Sequence, residues 1–130
     1  MKNIKLSVAI ATFNEQDNIV DCLESVKNLA DEIVIVDGNS IDLTAQLAIK
    51  FGAKVIKTKN LDMFHINKNM AIEKCQGEWI LLLDADERIT PDLSKEIKMI
   101  IKSAPKENGF WINRKNWFLG GFLTKGGAYP

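Results

Sequence analysis

The feature that most constrains the fold is an apolar run that ends on two aspartates. Residues 80–83 are Ile-Leu-Leu-Leu, and Asp84, Ala85, Asp86 and Glu87 follow directly. An uninterrupted run of this kind is typical of a strand buried on both faces in the middle of a parallel sheet. Side chains at i and i+2 of an extended chain point to the same side, so Asp84 and Asp86 can converge on one hard cation. An isolated Asp-x-Asp is more often a plain acidic turn, so the interpretation depends on the rest of the chain.

Short apolar strands alternate with amphipathic helices, which predicts a layered α/β domain built from βαβ units. The predicted strands are Leu6–Ala11, Ile33–Val36, Ala53–Thr58, 79–83 and Gly109–Asn113. The predicted helices run from an Asn14 cap to about residue 29, along Leu43, Leu47 and Phe51 to Gly52, over Ile66–Cys75, and from a Thr90 cap and Pro91 through Ile101. We therefore expect a Rossmann-like fold with a mostly parallel central sheet and helices on both faces.

Composition narrows the classes of protein and partner. The 130 residues are 46% hydrophobic, which predicts one globular domain over residues 1–130. Lysine plus arginine equals aspartate plus glutamate at 17 each, so no overall charge favours nucleic acid. The apolar stretches have the length of strands and not of membrane spans. The two cysteines, Cys22 and Cys75, form neither a metal spacing nor a disulfide framework, and we expect a cytoplasmic protein with reduced thiols.

Polar residues follow three of the predicted strands at the point where each ends. Residues 12–15 are Thr-Phe-Asn-Glu, residues 37–40 are Asp-Gly-Asn-Ser, and residues 84–87 are Asp-Ala-Asp-Glu. Because the carboxyl ends of parallel strands meet at one edge of a sheet, these clusters predict a ligand-binding crevice. The chain has neither Gly-x-Gly-x-x-Gly after the first strand nor a Gly-Lys-Ser/Thr loop. A cation held by the aspartates is then the obvious way to neutralise a bound phosphate.

Four ordered motifs resemble the family 2 glycosyltransferases of GT-A fold. They are Ser-Val-Ala-Ile-Ala-Thr-Phe-Asn-Glu at 7–15, Ile-Val-Ile-Val-Asp-Gly-Asn-Ser-x-Asp-x-Thr at 33–44, Lys-Asn-x-Ala at 68–71, and Gly-Glu-Trp-Ile-Leu-x-Leu-Asp-Ala-Asp-Glu at 77–87. Residues 110–130 resemble more loosely the bacterial branch that adds sugars to the lipopolysaccharide inner core. The resemblance implies a GT-A fold and an inverting, metal-dependent sugar transfer from a nucleotide-sugar, above all a UDP-sugar, to a saccharide or lipid-linked acceptor.

The resemblance also implies roles for individual residues. Those expected to bind the donor are Ala11, Thr12, Phe13 and Glu15 at the base and ribose, Asp37 at the uracil or ribose, Lys68 near the diphosphate, and Asp84 at the ribose or sugar. Asp86, with Asp84, is expected to ligate Mg²⁺ or Mn²⁺. The family more often has Pro-x-Tyr where this chain has Ala11 and Phe13, which makes that contact apolar. We expect Asp37 to lie at the mouth of the crevice and to serve recognition more than folding.

Three other classes stay open from the residues alone. A nucleotidyltransferase would carry a glycine-rich basic loop after the first strand, and a phosphatase of the Asp-x-Asp-x-Thr type would have threonine where Arg88 stands. A non-catalytic nucleotide-sugar-binding module is the strongest competitor, because no carboxylate in residues 91–130 matches the general base that an inverting transferase needs. We expect that base beyond residue 130, so that this chain is the donor-binding part of a longer enzyme.

Two further expectations concern partners. The implied acceptor is compatible with peripheral association at the inner face of a membrane. The aromatic residues Trp117 and Phe118 predict self-association if they are exposed, because an uncovered apolar patch favours contact between copies.

Overall fold

The computed structural model describes residues 3–59, 63–112 and 122–125, the last four by their backbone alone. The elements, in chain order, are β1 (Leu6–Thr12), α1 (Ile19–Val26), β2 (Glu32–Asp37), α2 (Thr44–Phe51), β3 (Lys54–Lys57), α3 (Phe64–Lys74), β4 (Trp79–Leu82), α4 (Pro91–Lys102), β5 (Gly109–Trp111) and β6 (Phe122–Lys125). In this part of the chain the strands form one sheet in the order β3-β2-β1-β4-β6-β5. Strands β1 to β4 are parallel to one another, and β6 pairs antiparallel with both β4 and β5.

Side chains of β1 alternate between two apolar clusters, one on each face of the sheet. Val8 and Ile10 belong to the larger cluster, which also contains residues of α1, α2 and α4. Ala9 belongs to the smaller cluster, to which α3 contributes Ala71 and Ile72. Burying a valine, leucine or isoleucine side chain stabilises a fold by about 1.5–3 kcal/mol, and both clusters contain such residues, so both helical layers are held by apolar packing. The prediction of a mostly parallel sheet with helices on both faces is confirmed.

The apolar run before the two aspartates forms the strand that the sequence predicts. Trp79, Ile80 and Leu81 of β4 are buried, and the strand lies between β1 and β6. Ile80 packs in the cluster with α3, whereas Leu81 packs in the cluster with α1 and α4. Burial on both faces explains why this segment contains no polar residue.

Several predicted ends of elements are confirmed by backbone geometry. Gly52 ends α2 in the left-handed region at φ 108°, where a side chain would be strained. Thr90 caps α4, since its hydroxyl accepts the Leu93 N–H at 3.2 Å, and Pro91 opens the helix.

Two predictions at the helix starts are wrong. Asn14 does not cap α1, which begins only at Ile19; it adopts φ 53° and uses its side chain to bind the neighbouring loop. Asparagine tolerates this left-handed conformation better than most residues, which suits it to a loop. Leu43 is 53% exposed and precedes α2, so it does not belong to the inward stripe of that helix. Among the described residues no helix combines the length and the apolar character needed to cross a membrane.

Candidate functional site

The candidate site lies where the order of strands reverses direction. From β1 the chain proceeds to β2 and β3 on one side, whereas β4 pairs with the other side of β1. Ligands of open α/β sheets bind outside the carboxyl ends of the strands at such a reversal. Residues 12–15, 37–40 and 84–87 follow β1, β2 and β4 at this edge, so the sheet brings the three predicted clusters to neighbouring positions.

Asp37 ends β2 and is fully buried. Its Oδ1 accepts hydrogen bonds from the hydroxyls of Thr12 and Ser40, both at 2.7 Å, and its Oδ2 accepts the Ser40 N–H at 2.9 Å. The expectation that Asp37 lies at the mouth of the crevice is therefore corrected: a buried carboxylate needs such donors, and here they come from the protein. Contact of Asp37 with a nucleotide stays a prediction.

The loops after β1 and β2 are tied together by a ladder of side-chain to backbone hydrogen bonds. The bonds, given as donor and acceptor, are Asn14 N–H to Ser40 Oγ at 2.7 Å, Ile41 N–H to Asn14 Oδ1 at 2.9 Å, Glu15 N–H to Thr44 Oγ1 at 2.8 Å, Gln16 N–H to Asp42 Oδ2 at 3.1 Å and Leu43 N–H to Gln16 Oε1 at 2.9 Å. Each bond satisfies a loop amide that regular secondary structure would otherwise satisfy. The two loops thus behave as one wall of the site.

Asp42 and Thr44 bond to each other at the start of α2, whose first residue is Thr44. Asp42 Oδ1 accepts the Thr44 N–H at 2.9 Å, and it also pairs with the Thr44 hydroxyl. Burial acts to raise the pKa of Asp42, but the hydrogen bonds from Thr44 and from the Gln16 N–H outweigh it and lower the pKa below its usual value.

The turn after β4 presents its carboxylates quite differently. Asp86 is exposed, and the Asp84 side chain is 32% exposed. Glu87 is buried, and its Oε1 accepts the Asp84 N–H at 2.7 Å, while its own N–H donates to the Asp84 carbonyl at 2.9 Å. Glu87 therefore braces the turn, and Asp84 and Asp86 remain accessible at its surface.

Lys68 reaches this turn from α3, on the opposite face of the sheet from α1. Its Nζ lies 2.5 Å from Asp84 Oδ1, and its side chain is 35% exposed. The next residue toward the helix start, Asn67, is fully buried, and its Oδ1 accepts the Thr58 hydroxyl at 3.3 Å. Thr58 in turn donates its N–H to the Asp37 carbonyl at 2.8 Å, so the helix that carries Lys68 is anchored to the end of β2.

Cys22 of α1 lies beneath the same turn. Its Sγ donates to the Asp84 carbonyl at 3.6 Å, and burial raises the pKa of its thiol from 9.0 to about 12. The thiol is therefore neutral at physiological pH and acts as a small apolar support with one weak hydrogen bond.

The remaining predicted donor-binding residues lie at the end of β1. Ala11 and Thr12 are buried within the strand, whereas Phe13 and Glu15 in the following loop are partly exposed. The structure thus joins Thr12 to Asp37 and Lys68 to Asp84, so predicted site residues contact each other directly at both places. Their binding of a donor stays a prediction.

Sequence reasoning assigned no individual role to three residues that shape the site: Ser40, Thr58 and Asn67. Ser40 lies in the quoted motif at 33–44, so the motif is a signal that could have identified it. Thr58 and Asn67 carry no comparable signal, because their contact joins two elements that only the fold brings together.

A divalent cation fits the chemistry of the turn. Carboxylate oxygens are the ligands that Mg²⁺ and Mn²⁺ prefer, and Asp84 and Asp86 supply them at an accessible surface. Across residues 3–59 and 63–112 no group of three or more His, Cys, Asp or Glu side chains is placed to hold a metal ion. A cation here would need oxygens from a ligand or from water, as Mg²⁺ commonly does beside phosphates.

Comparison with known proteins gives one consistent family. The model for "Glycosyl transferase family 2" matches residues 7–118. An uncharacterized glycosyltransferase of Rickettsia conorii is 38% identical over 99 residues, covering 76% of this chain and 35% of the relative. The lipopolysaccharide core biosynthesis glycosyltransferase LpsC of Rhizobium meliloti is 30% identical over 121 residues, covering 90% of this chain and 44% of LpsC. The chain spans about a third of the length of the curated Rickettsia relatives that it matches.

Solved structures agree on the fold. Staphylococcus aureus TarS (residues 1–349) in complex with UDP has a TM-score of 0.64 at 27% identity, covering 77% of this chain and 32% of that one. The mannosyltransferase PcManGT of Pyrobaculum calidifontis, in complex with GDP-Man and Mn²⁺, has a TM-score of 0.73 at 18% identity and covers 96% of this chain and 45% of its own. At that identity the second likeness concerns the fold alone.

The last predicted strand, Gly109–Asn113, ends earlier than expected, at Trp111. The expected self-association through Trp117 and Phe118 falls on residues outside the described part of the chain and stays a prediction.

Proposed function

Because this chain belongs to glycosyl transferase family 2, we propose that it carries the nucleotide-sugar site of a glycosyltransferase, with a UDP-sugar as donor. The observation that carries the proposal is the Lys68–Asp84 ion pair beside the exposed Asp86, at the switch point of the sheet. A lysine and two carboxylates at that position combine a phosphate ligand with ligands for a cation. The UDP complex of TarS supports uridine as the nucleoside.

The proposed donor site has two walls. The interlocked loops after β1 and β2 form the first, on which Phe13 and Glu15 are accessible to the base and the ribose. The turn after β4, with Asp84 and Asp86, forms the second and receives the diphosphate end together with Lys68. Thr12 and Asp37 support the first wall from behind through their mutual hydrogen bond.

Mg²⁺ or Mn²⁺ is the proposed cofactor, held by Asp86 and Asp84. When bound, a divalent cation supplies electrostatic stabilisation of the diphosphate as it leaves the sugar. PcManGT, whose structure contains Mn²⁺, has a similar fold, and this supports the assignment. Glu87 would contribute indirectly, since it fixes the backbone that carries Asp84.

For the reaction we propose inverting transfer of the sugar to a saccharide or lipid-linked acceptor. The name of LpsC, a lipopolysaccharide core glycosyltransferase, supports an envelope saccharide as the acceptor class. An inverting transfer needs a carboxylate that removes the acceptor hydroxyl proton, which is typically worth about 10²–10⁴-fold in rate.

Calorimetric titration with UDP, in the presence and absence of Mn²⁺, tests the proposal. We expect Mn²⁺ to tighten UDP binding about tenfold or more, because a metal that bridges the protein and the diphosphate couples the two. In Asp86→Asn this Mn²⁺ effect should disappear, whereas Glu73→Gln, which removes an exposed carboxylate of α3, should behave as the unmodified protein. GDP should bind more weakly than UDP. Equal UDP affinity with and without Mn²⁺ in the unmodified protein would refute the metal assignment.

A further inference from the structure

The Lys68–Asp84 ion pair joins two residues that the proposed function assigns to different ligands, one to the diphosphate and one to the cation. The two charged atoms are 2.5 Å apart, and each side chain is about one-third exposed, at 35% and 32%. The contact therefore lies at the surface of the crevice, where an arriving ligand can reach both groups.

The position of Lys68 is fixed by its helix. Asn67 and Ala71, on either side of it in α3, are fully buried, and Asn67 bonds to Thr58 at the end of β3. The Asp84 backbone is equally constrained by Glu87 and by the Cys22 thiol. With both backbones held, the ammonium is kept within reach of the carboxylate, and only the flexible end of the lysine has freedom to move.

An ammonium in contact with Asp84 opposes the binding of a second cation to the same carboxylate. It compensates the negative charge that attracts the ion, it occupies one of the two carboxylate oxygens, and it repels a dication brought within a few ångströms. A cation then depends mainly on Asp86, and a single carboxylate makes a weak site.

We propose that Lys68 is a resident counterion of Asp84 that withholds this carboxylate from a divalent cation until a nucleoside diphosphate arrives. The inference rests on the proposed function. The diphosphate offers the ammonium a second anionic partner, and when Lys68 turns to it, Asp84 becomes a ligand for the cation. Lys68 thereby makes the binding of cation and nucleotide cooperative, since each ligand favours the arrangement that the other requires.

Mn²⁺ binding without nucleotide, followed by the electron paramagnetic resonance signal of free Mn²⁺, tests the first half of the inference. We expect Lys68→Met to bind Mn²⁺ about tenfold more tightly than the unmodified protein, within the usual range of coupling between sites. Lys68→Arg keeps the cation and should stay close to the unmodified protein. Lys74→Met removes an exposed lysine from the last turn of the same helix and controls for net charge.

The second half is tested by the coupling factor, which is the ratio of Mn²⁺ dissociation constants without and with saturating UDP. Linkage requires the same factor for the effect of Mn²⁺ on UDP binding. In Lys68→Met we expect this factor to be smaller, both for the effect of UDP on Mn²⁺ binding and for the effect of Mn²⁺ on UDP binding. UDP itself should also bind more weakly, because the diphosphate has lost its lysine. A purely structural role for Lys68 would weaken both ligands and leave the factor unchanged.

Each outcome decides the question. The inference would be overturned if Lys68→Met bound Mn²⁺ no more tightly than the unmodified protein while keeping the same melting temperature. UDP binding by the unmodified protein would in that case leave the proposed function intact. Absence of UDP binding by the unmodified protein would overturn the proposed function, and the nucleotide-free Mn²⁺ measurement would still decide whether Lys68 withholds Asp84.

Discussion

The two acidic turns at the carboxyl edge of the sheet differ in where their carboxylates find partners. Asp37 ends β2, is fully buried, and receives three hydrogen bonds from Thr12 and Ser40. Asp84 and Asp86 follow β4 and are accessible, and Asp84 pairs with a lysine that is itself partly exposed. The same signal in the sequence, an aspartate directly after an apolar strand, thus has two outcomes.

The difference shows how the surroundings of a carboxylate divide structural from functional roles. A buried carboxylate with neutral protein donors stabilises its loop, because removing it leaves those donors without a partner. An accessible carboxylate beside a partly exposed cation contributes little to folding and is available for exchange with a ligand. The turn after β2 is therefore expected to carry stability, and the turn after β4 to carry binding. Urea denaturation of variants at the two turns gives their free energies of unfolding and so distinguishes the two roles.

Asp37→Ala is expected to show the largest loss, about 3 kcal/mol. The Thr12 and Ser40 hydroxyls would lose a charged acceptor in a buried position, and the loop network around Ser40 would loosen. Thr12→Val, which removes one of the three donors, serves as the partial variant and should cost less. The comparison breaks if Asp37→Ala keeps full stability and loses only UDP affinity.

Glu87→Ala should lower the free energy of unfolding by about 2 kcal/mol, less than Asp37→Ala and more than Asp86→Ala. The buried Glu87 carboxylate holds the Asp84 N–H, and that amide would be left without this acceptor. Glu87→Gln retains a carbonyl oxygen at the same place and should lose less. If Glu87→Ala were as stable as the unmodified protein, the turn would need no internal brace.

Alkaline pH should lower stability through Cys22, by up to about 1.4 kcal/mol for each pH unit above 9. Burial raises the pKa of the thiol from 9.0 to about 12 in the folded protein. Between these values the unfolded chain loses the proton and the folded chain keeps it, so the free energy of unfolding falls as the pH rises. Cys22→Ala should remove this part of the slope, and an identical slope in both proteins would contradict it.

Asp86→Ala is expected to show the smallest change in stability, within about 0.5 kcal/mol, because the residue is exposed. Measuring the unfolding of Asp86→Ala and Asp37→Ala under the same conditions compares the two turns directly. A loss for Asp86→Ala as large as that for Asp37→Ala would show that both turns are structural.

Much of the fold could be predicted from the sequence because its signals are local. The apolar run before Asp84 indicates a strand buried on both faces. Gly52 indicates the end of a helix, where the backbone enters the left-handed region, and Thr90 with Pro91 indicates the start of one. The strand β6 carried no such signal, since it follows a glycine-rich stretch and owes its pairing to β4 and β5. Asn14 failed as a cap because a tertiary contact with Ile41 used its side chain instead.

For the site, the sequence by itself determined which strand ends carry polar groups and, through its motifs, the family to which the chain belongs. Only the tertiary structure decided that Asp37 faces inward to Thr12 and Ser40 and that Lys68 meets Asp84 from another helix. Hydrophobic periodicity is a property of residues close together in the chain, so the spacing of apolar residues in the sequence is enough to predict helices and strands. The partner of a carboxylate depends on which elements the sheet order places side by side. The separation of 16 residues between Lys68 and Asp84 therefore does not predict their contact.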